Sequence, residues 1–298
     1  MRLYRGDNTN RAKFNCAPTQ LTCKIGRDKF MLRSLNELER CQVSATDGDI
    51  GTIRDFLLDD DQWTVRYFVV ETSGFCDRQH VLISPISFLH VDWSTRQFHL
   101  ALMKDTVKMS PNIDTDKPVS RRDERDYSGY YGYPAYWGDS GLWGMSDYPG
   151  SLAAHKWREM FVRNVENSAD VRLRSANEIR GFRIHASDDP IGEVEGFIID
   201  DQTREVRFII VDTSSWWSGE KVLVAPKWAT RIGWEEKNVY LDLPRQLIKN
   251  CPHWNMTLDV NRECQTQLFE HYGRALPGNH RNQPLGSRAS RNPASQAS

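Results

Sequence analysis

The chain has 298 residues, of which 27% are charged and 39% hydrophobic, with a formal net charge of −1; that length fits two or three domains. Charge is spread unevenly, at roughly +5 over residues 1–30, −4 over 32–111, −2 over 112–172, −2 over 173–252 and +2 beyond, so the central parts would repel a phosphate backbone and no nucleic-acid partner is expected. No apolar run approaches the ~18 residues of a membrane span, and none follows the N-terminal basic residues to make a secretory signal, which leaves the cytoplasm as the expected location.

Residues 1–31 read as a basic extension without periodicity, expected to be disordered, and Met31, just ahead of the first recognisable element, is the expected natural start. From Leu32 the chain repeats itself. An offset of 141 residues aligns 32–111 with 173–252 without a gap, and about 25 of 80 positions are identical.

Leu32-Arg33-Ser34-Leu35-Asn36-Glu37-Leu38 lies over Leu173-Arg174-Ser175-Ala176-Asn177-Glu178-Ile179, and the shared Ser-x-x-Glu predicts a capped helical turn. Ile50-Gly51 to Asp59-Asp60 lies over Ile191-Gly192 to Asp200-Asp201, each after an Asp-rich turn, and reads as a strand. Val65-Arg66-Tyr67-Phe68-Val69-Val70 over Val206-Arg207-Phe208-Ile209-Ile210-Val211 predicts a second strand, buried on both faces or in a curved sheet. Val81–Pro85 over Val222–Pro226 follows, then a hairpin around Trp93 and Trp234 that closes with Phe98–Leu100 and Val239–Leu241. Short strands at this spacing suggest a small barrel or curled sheet.

The repeat continues weakly into Val119–Gly132 over Val260–Gly273, where Ser120 or Asn261 at the start and glycine at the end predict a short closing helix. The modules are therefore 32–132 and 173–273. Between them, 133–172 is an aromatic and glycine-rich linker, whose Tyr and Trp residues either pack on a barrel wall or anchor a partner. Residues 274–298 form a tail expected to be disordered.

For chemistry, the two copies can be used against each other. No histidine faces a histidine and no cysteine a cysteine across the repeat: His80 meets Lys221, His99 meets Tyr240, and Cys41 meets Phe182. Nothing basic or thiol-like is thus built into the module, and no catalytic residue, cofactor or metal is expected. The best metal candidate is Cys251, His253, Cys264 and His271, whose spacing matches no zinc finger. The six cysteines form no Cys-x-x-Cys pair, and reduced thiols are expected. The one ionisable cluster present twice is Asp59-Asp60 and Asp200-Asp201, which could do acid–base work or hold a hard cation but suits solvated turn residues better. With Trp93, Trp234, Trp216 and Trp217 these aspartates complete the interaction candidates, the hairpin tryptophans reading first as packing.

The blocks Leu32–Leu38, Ile50–Asp60, Val65–Thr72 and Val81–Pro85, each present twice, resemble the PRC-barrel family, named for the cytoplasmic domain of the photosynthetic reaction-centre H subunit. Glu124 and Tyr130–Trp137 are similar to the tail of stand-alone bacterial members. The resemblance implies a mainly β protein of two tandem six-stranded barrels, each closed by a short helix and packed on one another as a pseudo-dimer. It also implies a non-enzymatic, protein-binding scaffold with an unknown protein partner. An accessory role in a photosynthetic or other large assembly is the alternative, and a metal- or acid-dependent enzyme the rival from another class.

Overall fold

A computed structural model describes residues 31–73, 79–111, 114, 117–137, 141–153, 173–214, 221–255 and 260–276. The basic extension, the far tail, Trp216 and Trp217 lie outside them.

The first copy runs β1 (Leu32–Ser34), α1 (Leu35–Leu38), β2 (Gln42–Ala45), β3 (Gly48–Asp59), β4 (Thr64–Thr72), β5 (His80–Ile83), β6 (Phe88–Asp92), β7 (Gln97–Leu100), α2 (Lys104–Lys108) and α3 (Arg121–Tyr131). After α4 (Pro149–Ala153) the second copy repeats the order as β8 (Arg174–Ser175), α5 (Ala176–Ile179), β9 (Arg183–His185), β10 (Pro190–Asp200), β11 (Val206–Asp212), β12 (Lys221–Val224), β13 (Ala229–Gly233), β14 (Asn238–Leu241), α6 (Arg245–Lys249) and α7 (Arg262–His271). Ser34 and Ser175 cap the opening turns, accepting from the amides of Asn36 and Glu178. Ser120 and Asp123 form a reciprocal capping box on α3, and Asn261 caps α7.

Two seven-stranded sheets result, with paths β5-β4-β3-β2-β7-β6 and β12-β11-β10-β9-β14-β13. The expected six strands per module are present, and the seventh comes from the other copy. The first half of β3 pairs with β2, while its second half receives β8, with Leu57 opposite Ser175 and Leu58 opposite Arg174. Reciprocally, β10 pairs with β9 early and with β1 late, with Ile198 opposite Ser34 and Ile199 opposite Arg33. Under the 141-residue offset the two registers are identical. Register shifts in the β3–β4 and β10–β11 pairings also fall at equivalent places, after Ile53 and Leu57 and after Val194 and Ile198, where bulges bend a strand. Among the described residues no pairing joins the end strands of either sheet, so what is seen of each module is a seven-stranded sheet along these paths.

The hairpin tips cross as well. The Val65 amide donates to Arg204 O (3.0 Å) and the Val206 amide to Trp63 O (2.7 Å), while Thr64 bridges Glu205. Trp63 and Arg204 hold the same place in their turns and share a positive φ, 49° and 64°. Trp63 packs against Phe197 of the second module, at 6.4 Å between ring centroids. Arg204 reaches over Phe68 and Phe88 of the first, 5.9 and 5.5 Å from their rings. One continuous cluster of buried apolar residues runs through both modules, from Leu35 and Phe56 to Phe197 and Val224.

Two predictions follow from the packing. A Cβ at Gly51 would stand 1.9 Å from Glu71 O of the neighbouring strand, and one at Gly192 2.2 Å from Asp212 O, whereas one at Gly129 on α3 meets nothing within 4 Å. Gly51→Ala is expected to lower unfolding free energy by roughly 2–4 kcal/mol in urea titration, and Gly129→Ala to raise it by about 0.5–1 kcal/mol. Arg204 is buried with its Nε and Nη1 unpartnered among the described residues, and desolvation, opposed by Asp201 and Asp200, pulls its pKa down to about 10. An incompletely satisfied buried cation is costly. Replacing it by the residue of its counterpart, Arg204→Trp, should therefore stabilise the chain by about 1–3 kcal/mol in the same measurement.

Candidate functional site

The two modules present equivalent outer walls, formed by the start of β4 or β11, the turn after β5 or β12, and the closing helix. On the first module this wall is covered. Arg66, a lone cation in the apolar run of β4, is fully buried. Its Nη2 donates to Asp59 Oδ2 (2.8 Å) and Gln62 Oε1 (2.8 Å), its Nε to Asp59 Oδ2 (3.2 Å), and its Nη1 to the Leu142 carbonyl. The guanidinium lies under the Tyr136 ring at 3.7 Å and 5.1 Å from that of Trp143, a stacking geometry that suits a planar cation.

The rest of the cover is ordered around this stack. Tyr136 donates its hydroxyl to Glu124 Oε1 (2.6 Å), and Arg121 donates to Glu124 Oε2 (2.7 Å) and to the Tyr136 hydroxyl (2.8 Å). Burial pushes the Glu124 carboxyl up to about 7 against the opposing pull of Arg121, Tyr136 and Arg66. Trp143, 1% exposed, packs with Ile86 and Leu152 and donates its indole N–H to Thr203 O at the second module's tip (2.8 Å). The aromatic linker is thus packed on the wall across its described residues.

This placement corrects the reading of the aspartates. Asp59 is not a solvated turn residue: it is buried, its Oδ2 holds Arg66, and its Oδ1 accepts from the amides of Asp61 and Gln62 (both 3.2 Å). Asp200 does act as a turn residue, accepting from Gln202 (2.9 Å) and Thr203 (3.0 Å). Burial first, then neighbouring Asp59, raises the Asp60 pKa; burial raises that of Asp201 against Arg204. Trp93 and Trp234 pack edge-on against Phe98 and Phe182 of their own modules. Arg33 lies 3.8 Å over the first and Arg174 4.3 Å over the second.

The Cys/His set does not assemble. Among the described residues no group of three or more His, Cys, Asp or Glu is placed to hold a metal. Cys251 is a buried free thiol, pushed up to about 12 by burial, and His271 Nε2 bonds Leu247 O at 2.8 Å. Cys264 is disulfide-bonded, contrary to the expectation of reduced thiols, while Cys41 is free.

On the second module the equivalent wall is open among the described residues, a groove of about 330 Å³. Arg207, the counterpart of Arg66, is only partly buried and turns to Glu205 (2.8 Å) instead of Asp200. Lys227 stands where Ile86 stands, its ammonium 4.5 Å from the Phe269 ring. Desolvation, with help from Arg207, lowers its pKa. Asp60, Asp61 and Gln62 of the first module's tip form the opposite side.

The PRC-barrel domain model matches residues 16–106 and 172–247, more than half of the sequence. The chain belongs to the PRC-barrel domain family. No curated protein matches it. Both matched segments carry the exchanged strands, the tips and the strand parts of the walls, whereas the closing helices α3 and α7 lie outside the matches. The linker that covers one of the walls also lies outside the matches. Sequence reading missed Arg66, Arg207, Glu124, Tyr136, Trp143 and Lys227. The available signal was a charged residue repeated in both copies inside an apolar strand. No helix among the described residues is long and apolar enough to cross a membrane.

The titration of Glu124 gives a pH prediction. Its folded pKa of about 7 lies above the ~4.3 of an unfolded glutamate, so its contribution to stability is full below the unfolded value and is lost as pH rises through about 7. Glu124→Gln, which installs the residue already present at Gln265, should remove that loss. The variant should gain on the parent by on the order of 2–3 kcal/mol between about pH 5 and pH 8, read by denaturant melts across that range.

Proposed function

We propose that this PRC-barrel protein is a non-enzymatic scaffold whose two modules, each a small six-stranded barrel, act as a covalent pseudo-dimer and hold a protein partner on the second module. The observation that carries this reading is the unequal treatment of two equivalent walls: one is sealed by Tyr136 and Trp143, the other left as a groove. A largely buried guanidinium paired with Glu205, and an ammonium 4.5 Å from the Phe269 ring, give the groove the mixed apolar and polar surface that protein interfaces use. The reciprocal seating of β1 and β8 supports the pseudo-dimer, because a module alone would leave half of its longest strand without an edge partner. Asp60 and Asp61 on the groove's rim disfavour a nucleic-acid backbone.

The test is site-specific photo-cross-linking of the full chain in its native host, with the reactive amino acid at Lys227 and, as a control, at exposed Leu89 of the first module. The expected result is a protein adduct of discrete mass from position 227 only. Adducts of equal pattern from both positions, or from neither, count against the reading.

A further inference from the structure

The covered wall tells what the open one accepts. We infer that the groove on the second PRC module binds an extended partner segment presenting two aromatic rings, one over Arg207 and one indole against the Gln62 turn. This rests on the binding reading above and specifies its partner.

Three correspondences carry it. Arg66 lies under Tyr136 at 3.7 Å, and Arg207 occupies the same strand position, steadied by Glu205 at 2.8 Å. Among the described residues no ring lies over Arg207, although a guanidinium offers its flat face to a ring whether buried or half-buried.

The second correspondence is the acceptor. The Trp143 indole donates to Thr203 O of the opposite tip, and the counterpart of Thr203 is Gln62, which lines the groove. The Gln62 carbonyl accepts from the Thr64 hydroxyl (3.1 Å) and, with two lone pairs, has room for an indole N–H.

The third is the wall. Trp143 rests on Ile86; in the groove that place belongs to Lys227, whose ammonium lies 4.5 Å from the Phe269 ring and whose methylene stem can flank an incoming ring.

Residues 274–298 do not supply such rings. Residues 133–148, which follow α3, include Tyr133, Tyr136, Trp137, Trp143 and Tyr148, whereas residues 274–298, which follow α7 in the same sense, contain no Tyr, Trp or Phe. The occupant that matches the covered wall is a partner segment that resembles 133–148 in its aromatic spacing; a groove already filled by another stretch of this chain would show as the absence of saturation below.

The probe is a fluorescent peptide of residues 133–148 titrated with the full-length protein and followed by anisotropy. Saturable one-to-one binding is expected, weakened at least about tenfold by Arg207→Ala in the protein and by alanine at both Tyr136 and Trp143 in the peptide. Leu89→Ala should leave it unchanged. Absence of saturation, binding that survives Arg207→Ala, or indifference to the loss of both rings overturns the inference. So does binding that appears only after truncation beyond Leu276, which would give the groove to the chain's own tail. A partner cross-linked at Lys227 through a segment without aromatic residues would overturn this inference while leaving the binding reading standing.

Discussion

The structure depends on one constraint: neither long strand, β3 or β10, is paired on both edges along its full length within its own module. Each is longer than the strand beside it. β2 covers residues 48–52 of β3, and β9 covers 190–193 of β10. The remaining edge of each would offer unpaired amides and carbonyls to any other chain. The opening strands β1 and β8 close those edges reciprocally, and the hairpin tips lock the same contact from the other side through the Val65 and Val206 amides. Individual backbone hydrogen bonds contribute only about 1 kcal/mol net. The weight of the contact therefore lies in the apolar cluster that runs unbroken through both modules, and the strands fix its register.

That register is symmetric, but the side chains on it are not. Asp55 accepts from the Asn177 amide (3.2 Å) in the opposite module, while at its counterpart Gly196 a Cβ would stand 2.8 Å from Asn36 Oδ1. Trp63 faces Arg204, Ile86 faces Lys227, and Glu124 faces Gln265 across the repeat. Backbone symmetry is retained where the two copies interlock, whereas side-chain symmetry is given up both there, at Asp55 and Trp63, and on the outer walls. The Arg66 cluster belongs to the outer walls. A buried ion pair of this kind is weak evidence for stability, since well-packed apolar residues can do as well. What it does here is geometric: Asp59 fixes the guanidinium, and the guanidinium fixes the Leu142 carbonyl and the face of Tyr136.

Most of the module was readable from the sequence because it is local. Alternation, turn residues and caps placed the strands and the closing helices, and the 141-residue repeat gave the two modules directly. The exchange of β1 and β8 was not readable, because a gapless repeat aligns positions without saying whether a strand pairs within its copy or with the other. The fate of Asp59 was hidden for a related reason. An aspartate at the end of a strand looks solvated until Arg66, seven residues on, is seen to point outward from the core and to be covered by a linker some 76 residues further along the chain. Trp143 donating to Thr203, 60 residues away, is equally non-local. The groove of the second module is defined by what its wall lacks, and only the comparison of two folded walls exposes it.

The asymmetry has a consequence for stoichiometry that a single-module protein could not reach. A symmetric homodimer of PRC modules presents two identical walls, so its covering segments fill both or neither, and a partner binds twice or not at all. Joining the copies in one chain lets each wall be tuned separately. Aromatic residues after α3 close the first, and among the described residues none covers the second. The covered wall then stiffens the first hairpin, because Asp59 and Gln62 both hold Arg66, and the tip of that hairpin forms one side of the open groove. On the proposed reading, the first module supplies the rigid half of the groove, with Arg66 and Tyr136 holding the tip in place for whatever meets Arg207.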